Sequence, residues 1–210
     1  MSIETMLAFF AVALLLAFVP GPDNVFVMIQ AALRGRNAGL LVVLGLCTGL
    51  IVHTTAVALG VAVIFQKSQL AFSLLKYAGS VYLVYLAWQA FRAKPMNDEE
   101  SENPTNPAVD GAKLYLRGIL MNITNPKVSI FFLAFLPQFV DRQAGHVSLQ
   151  MFALGGIFIL AALLAFSVMT VVAASFGARF GQSPRVQKNM NRLAGVVFLG
   201  LAAKLATAER

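Results

Sequence analysis

Two polar clusters interrupt apolar sequence, and their residue types could do chemistry. The first is Pro20-Gly21-Pro22-Asp23-Asn24; the second is Asn122-Ile123-Thr124-Asn125-Pro126-Lys127. Each proline removes a backbone donor and clashes with the preceding helical turn. The apolar run before the first cluster, residues 6–19, holds 14 residues, and a bilayer crossing needs about 20. With the run after it the segment spans, so the break sits at depth. Non-helical backbone is tolerated there only inside protein or beside a watery cavity.

Asp23 and Asn24 would open the second half-helix. Exposed N–H groups and the helix dipole stabilise a carboxylate at such a start. A capping role is therefore real, and it is compatible with a functional one. Asn or Ser would cap without a charge, and a charge at depth costs about 2.5–3.5 kcal/mol on insertion scales. That excess points to a function for Asp23. The second cluster supplies the amides of Asn122 and Asn125, a hydroxyl, freed carbonyls and the cation of Lys127. Lys127 could reach water only from near an interface. The simplest way to host both charges is an Asp23–Lys127 pair, either static or part of a substrate site. A zwitterion suits such a site. A half-helix N-terminus and Lys127 attract a carboxylate; Asp23 and freed carbonyls attract an ammonium. Asn122-Ile123-Thr124 also matches a glycosylation sequon, which carries little weight inside a span.

These clusters need elements to hold them, and composition says which. Apolar residues make up 59% of the 210 and charged residues 12%; mean hydropathy is +0.76. Soluble chains run at roughly half apolar and about a quarter charged. The net charge of +7 is read as loop charge that orients a membrane protein, not as a nucleic-acid surface. Cys47 is the only cysteine, so no intramolecular disulfide or dithiol relay exists. One cysteine and two separated histidines give no metal-site spacing, and no cofactor is expected. The first 19 residues lack a basic start and a small-x-small cleavage site, so they are expected to be retained.

Six apolar segments follow: residues 7–33 broken at 20–24, 40–65, 70–91, 114–140 broken at 122–127, 147–176 and 193–206, the last begun earlier by 189–192. They are too long for strands and lack period-two alternation, so they read as helices. The polar, acidic, proline-bearing stretch 92–112 reads as a loop joining two halves, 1–91 and 113–210. Ten Lys and Arg lie on one side: Arg34, Arg36, Arg92, Lys94, Lys113, Arg117, Arg179, Arg185, Lys188 and Arg192. Lys67, Lys76, Arg142, Lys204 and Arg210 lie on the other. The positive-inside rule then puts both termini outside the cytoplasm.

The halves look alike. A shift of 106 places Pro20 on Pro126, Arg36-Asn37-Ala38-Gly39 on Arg142-Gln143-Ala144-Gly145, and Gly49 on Gly155. With ten extra residues, Lys76-Tyr77-Ala78-Gly79 falls on Arg192-Leu193-Ala194-Gly195. This register sets Lys127 level with Gly21. Three spans per unit force opposite orientations, so the expected fold is an all-α membrane protein of six transmembrane helices in an inverted three-plus-three repeat. Secondary transporters are commonly built this way, with substrate between the paired broken helices.

Pro20-Gly21-Pro22 in the first span, a glycine-rich second span and Asn125-Pro126-Lys127 in the fourth resemble the LysE/RhtB amino-acid exporter family. The resemblance covers essentially the whole chain. It implies bacterial inner-membrane efflux of amino acids or derivatives driven by the proton gradient, with homoserine, threonine and leucine exporters nearer than lysine exporters. The implied partners are a small amino-acid substrate, protons and the lipid bilayer; a homodimer is left open.

Further residues have two readings. His53 could relay protons or be an interior hydrogen-bonded histidine, the commoner case. Gly45-x-x-x-Gly49 allows close helix contact. Gln30, two turns beyond Asp23, could face the same cavity. Tyr77, Tyr82, Tyr85 and Trp88 suit interface anchoring or packing. No phosphate-binding glycine loop is present, which argues against direct ATP use, and no reactive cluster suggests an enzyme. An uncoupled channel or small-solute permease is the alternative to an antiporter.

Overall fold

The computed structural model describes residues 1–61, 69–93, 110–141, 143–176 and 184–207. Asp98, Glu99, Glu100 and Glu102 of the central loop lie outside the described residues, as do Lys67, Lys94, Arg142, Arg179 and Arg210. Every regular element among the described residues is helical.

The first apolar segment folds as two helices. Helix α1 is Ile3–Phe18, started by the Ser2 side chain, which accepts from Thr5 N. Helix α2 is Pro22–Arg34, with Pro22 at its first position, where its missing N–H costs nothing. The two meet at 64°. Gly35 alone joins α2 to α3 (Arg36–Ala56). Its φ of 85° is the left-handed region that favours glycine. Helix α3 runs on into a π turn, Val57–Val61.

Helix α4 is Gln69–Arg92. The second broken segment opens with α5, Gly111–Ile123, whose first turn is capped by the Asp110 side chain. After the break comes α6, Pro126–Ile130, then a π turn Phe131–Phe135 and a 3-10 turn Leu136–Phe139. This bend is 49°. Helix α7 is Val147–Phe176. Helix α8 is Pro184–Thr207. It starts well before the expected 189–193 because a proline at the first position begins a helix.

Among the described residues, two helical stretches can cross a membrane by length and apolarity, Arg36–Gly60 and Val147–Ser175. The two bent pairs qualify when each is taken as one span. Helices α4 and α8 have 24 residues each, about 36 Å of helix and longer than a hydrocarbon core.

Glycine sets the central packing. A Cβ on Gly45 would fall on the Tyr115 carbonyl, and one on Gly118 would lie 2.5 Å from the Val42 carbonyl. So α3 and α5 touch backbone to backbone, as the Gly45/Gly49 spacing suggested. Helix α1 packs on α7, α2 lies between α3 and α7, and α4 pairs with α8. Beside the breaks, six buried rings interlock: Phe9 of α1, Phe158 of α7, and Phe131, Phe132, Phe135 and Phe139 after α6. The outside of the bundle is apolar as well. Leu70, Val81, Leu120, Leu149 and Leu160 are each more than 60% exposed. Apolar exposure of this extent is what a bilayer covers.

Candidate functional site

The two breaks meet inside the bundle. Asp23, Asn24, Asn122, Asn125 and Lys127 are all buried. Pro22 and Pro126 each open a half-helix, so Asp23 and Lys127 both hold the second helical position. By helix start Lys127 thus corresponds to Asp23, whereas the expected register set it level with Gly21.

The expected direct Asp23–Lys127 pair is not formed, since no carboxylate–ammonium contact within 4.0 Å joins them. Asn125 stands between. Its Nδ2 donates to Asp23 Oδ2 at 2.7 Å, and its Oδ1 accepts from Lys127 N at 3.0 Å, capping α6. Lys127 Nζ instead donates to the Val19 carbonyl at 3.1 Å. The physical reason is the dipole. A cation at a helix start is unfavourable, whereas the carbonyl end of α1 attracts it. Gly21 makes room for this reach, because a Cβ there would lie 3.2 Å from Nζ.

Asn24 serves the same helix end. Its Nδ2 donates to the Ala17 carbonyl at 2.7 Å and approaches Met169 Sδ at 3.5 Å. The other broken helix is finished by a side chain of α3. His53 Nε2 lies 3.1 Å from the Asn122 carbonyl. A carbonyl only accepts, so Nε2 carries the hydrogen. Pro126 cannot donate to that carbonyl as a continued helix would. The His53 ring also lies 5.6 Å from Phe132, where the polar breaks meet the phenylalanine cluster. Gly49 packs directly on the Asn122 side chain.

Among the described residues, four buried side-chain atoms have no partner: Asp23 Oδ1, Asn24 Oδ1, Gln30 Oε1 and Asn122 Oδ1. Gln30 is buried on the same face of α2 as Asp23. The structure therefore brings Asp23, Asn24, Asn125, Asn122, Lys127 and His53 into one linked group, with Pro20, Gly21, Pro22 and Pro126 shaping its backbone. It does not bond Gln30 to that group. Met169 and the Val19 carbonyl were missed, since a lone methionine in an apolar run carries no sequence signal.

A membrane-embedded helical bundle with paired broken helices defines a membrane transport protein. The chain belongs to the LysE type translocator family, whose model matches residues 14–209. It is 32% identical over 210 residues to an uncharacterized membrane protein of Vibrio cholerae serotype O1, covering all of both chains. It is 30% identical over 207 residues to the uncharacterized membrane protein YrhP of Bacillus subtilis, covering 96% of this chain and 98% of that one. A leucine efflux protein of Salmonella choleraesuis is 27% identical over 197 residues, covering 94% and 92%. No solved structure matches the chain significantly.

Proposed function

We propose that this protein is a bacterial inner-membrane exporter of amino acids or their derivatives, homoserine-, threonine- or leucine-like, driven by proton antiport. The carrying observation is Asp23. It is 2% exposed, held through Oδ2 by Asn125, and its Oδ1 is left open. An ionisable group kept at depth with one free oxygen can take either a proton or a cargo amine. Competition between the two at one carboxylate couples efflux to proton entry. The likeness to a leucine efflux protein supports the cargo class.

The reading includes six spans, with α4 and α8 as the third and sixth. It includes the inverted repeat, halves 1–91 and 113–210 around linker 92–112, and termini in the periplasm. What supports the repeat is packing in mates. The second span lies on the first half of the fourth, and the fifth lies on the first half of the first. The third and sixth spans lie on each other in self-matching fashion: Gly79 faces Leu205 while Gly195 faces Phe91.

The test is radiolabelled leucine, threonine and homoserine transport in proteoliposomes under an imposed pH gradient. Asp23→Asn is expected to abolish the gradient-driven flux. Equal gradient-driven rates in variant and wild type would refute proton coupling at Asp23.

A further inference from the structure

Among the described residues, all four partnerless buried side-chain atoms are oxygens, and none is a nitrogen. Two of them belong to consecutive residues in the first turn of α2, Asp23 at 2% and Asn24 at 1% exposure. Their identity is not open to an amide flip. Asp23 has only acceptors, and Asn24 Nδ2 is fixed by the Ala17 carbonyl, so Oδ1 is the free atom. Three nearby donor groups each give a hydrogen bond to the protein. Asn125 Nδ2 holds Asp23, Asn24 Nδ2 holds Ala17, and the Lys127 ammonium is drawn onto Val19. The N-terminus of α2 would otherwise favour an anion, but Asp23 already occupies it. A cargo carboxylate brought here meets a carboxylate; a cargo ammonium meets unanswered acceptors. Buried acceptors without partners are rare, and each asks for a donor.

We propose that this site recognises its cargo through the protonated amine, and that the cargo's carboxylate contributes little to binding at the break. The inference rests on the export reading above and sharpens its cargo class. Primary amines of suitable size, lacking any carboxylate, are ligands. The amine donates hydrogen bonds to Asp23 Oδ1 and Asn24 Oδ1 and gains the charge of Asp23. Charge-assisted bonds of this kind are about twice as strong as neutral ones, so the amine carries most of the discrimination. The zwitterion expected from the sequence is thereby narrowed to its cationic end. The other end was assigned to Lys127, which the structure turns toward the helix α1 carbonyls.

The experiment is displacement of radiolabelled leucine from the detergent-purified full chain at neutral pH, without a membrane or gradient. Two competitors keep the leucine side chain and lose one end: 3-methylbutylamine keeps the amine, 4-methylpentanoate keeps the carboxylate. The amine is expected to displace leucine at a concentration at least about tenfold lower than the acid does. An acid that displaces as well as the amine, or an amine that does not displace, overturns the proposal. Absence of leucine binding to the wild type would count against leucine as cargo. The thermal shift given by 3-methylbutylamine then decides the inference. A rise in melting temperature that Asp23→Asn removes supports it, and no rise overturns it. Asp23→Asn must melt as wild type does without ligand for that comparison to count; the wild-type competition stands without it.

Discussion

Asn125 does two things with one amide. Its oxygen caps α6 and its nitrogen holds Asp23. The two roles separate by substitution. Asn125→Asp keeps an oxygen for the cap but sets a second carboxylate against Asp23, so it should fold and lose transport at neutral pH. Asn125→Ala loses both, and a lost cap alone costs about 1 kcal/mol. Its melting temperature in detergent should fall by at least about 2–4 °C on the scale of a chain this size. A wild-type melting point for Asn125→Ala would show that the cap is idle. Both clusters were legible in the sequence, because prolines, amides and charges inside apolar runs leave few alternatives. Their bonding was not. Opposite charges suggested a direct pair, yet the dipoles at four helix ends send Lys127 to Val19 and leave Asn125 as the link. Met169 beside Asn24 illustrates the limit: only three-dimensional proximity distinguishes it from seven other methionines in the chain, of eight in all.

Helix contacts here are set by where a side chain is missing. Gly155 and Gly156 are neighbours on α7, but a Cβ on Gly155 would strike the Thr54 side chain while one on Gly156 meets nothing within 4 Å. Gly155→Ala should therefore destabilise by about 1–3 kcal/mol, the usual cost of overpacking. Gly156→Ala should be neutral or stabilise by up to about 1 kcal/mol, since alanine suits a helix interior better than glycine. Thermal melts of the pair check this, and equal shifts would contradict the contact. The existence of each helix could be read from apolar length, and α7 matches the expected residues 147–176 throughout. The π turn at Phe131–Phe135 could not. Its sequence is uniformly apolar, so it has no polar face to betray a change of pitch. The early start of α8 was readable in Pro184; hydropathy alone hid it, because Arg185, Lys188 and Arg192 occupy its first turns.

At the scale of the whole molecule, the exposed leucines and valines make the surface that lipid must cover, and the proposed orientation places the C-terminus in the periplasm. With Cys47→Ala as background, Thr207→Cys at the exposed end of α8 should react with a membrane-impermeant maleimide in right-side-out vesicles. It should be protected in inverted ones. The reverse pattern would overturn the periplasmic assignment of the C-terminus. Lys127 and Asn125 also have a bearing on how the chain is made. They complete the first break from 108 and 102 residues further along. At about 5–20 residues per second of synthesis, Asp23 enters the bilayer roughly 5–20 s before the groups that will hold it are even polymerised. The newborn first half is then a membrane segment with an unanswered acid in its middle. It must wait at the insertion machinery, stay protonated, or be recognised as defective. Completion of the first break thus awaits the arrival of one asparagine and one lysine.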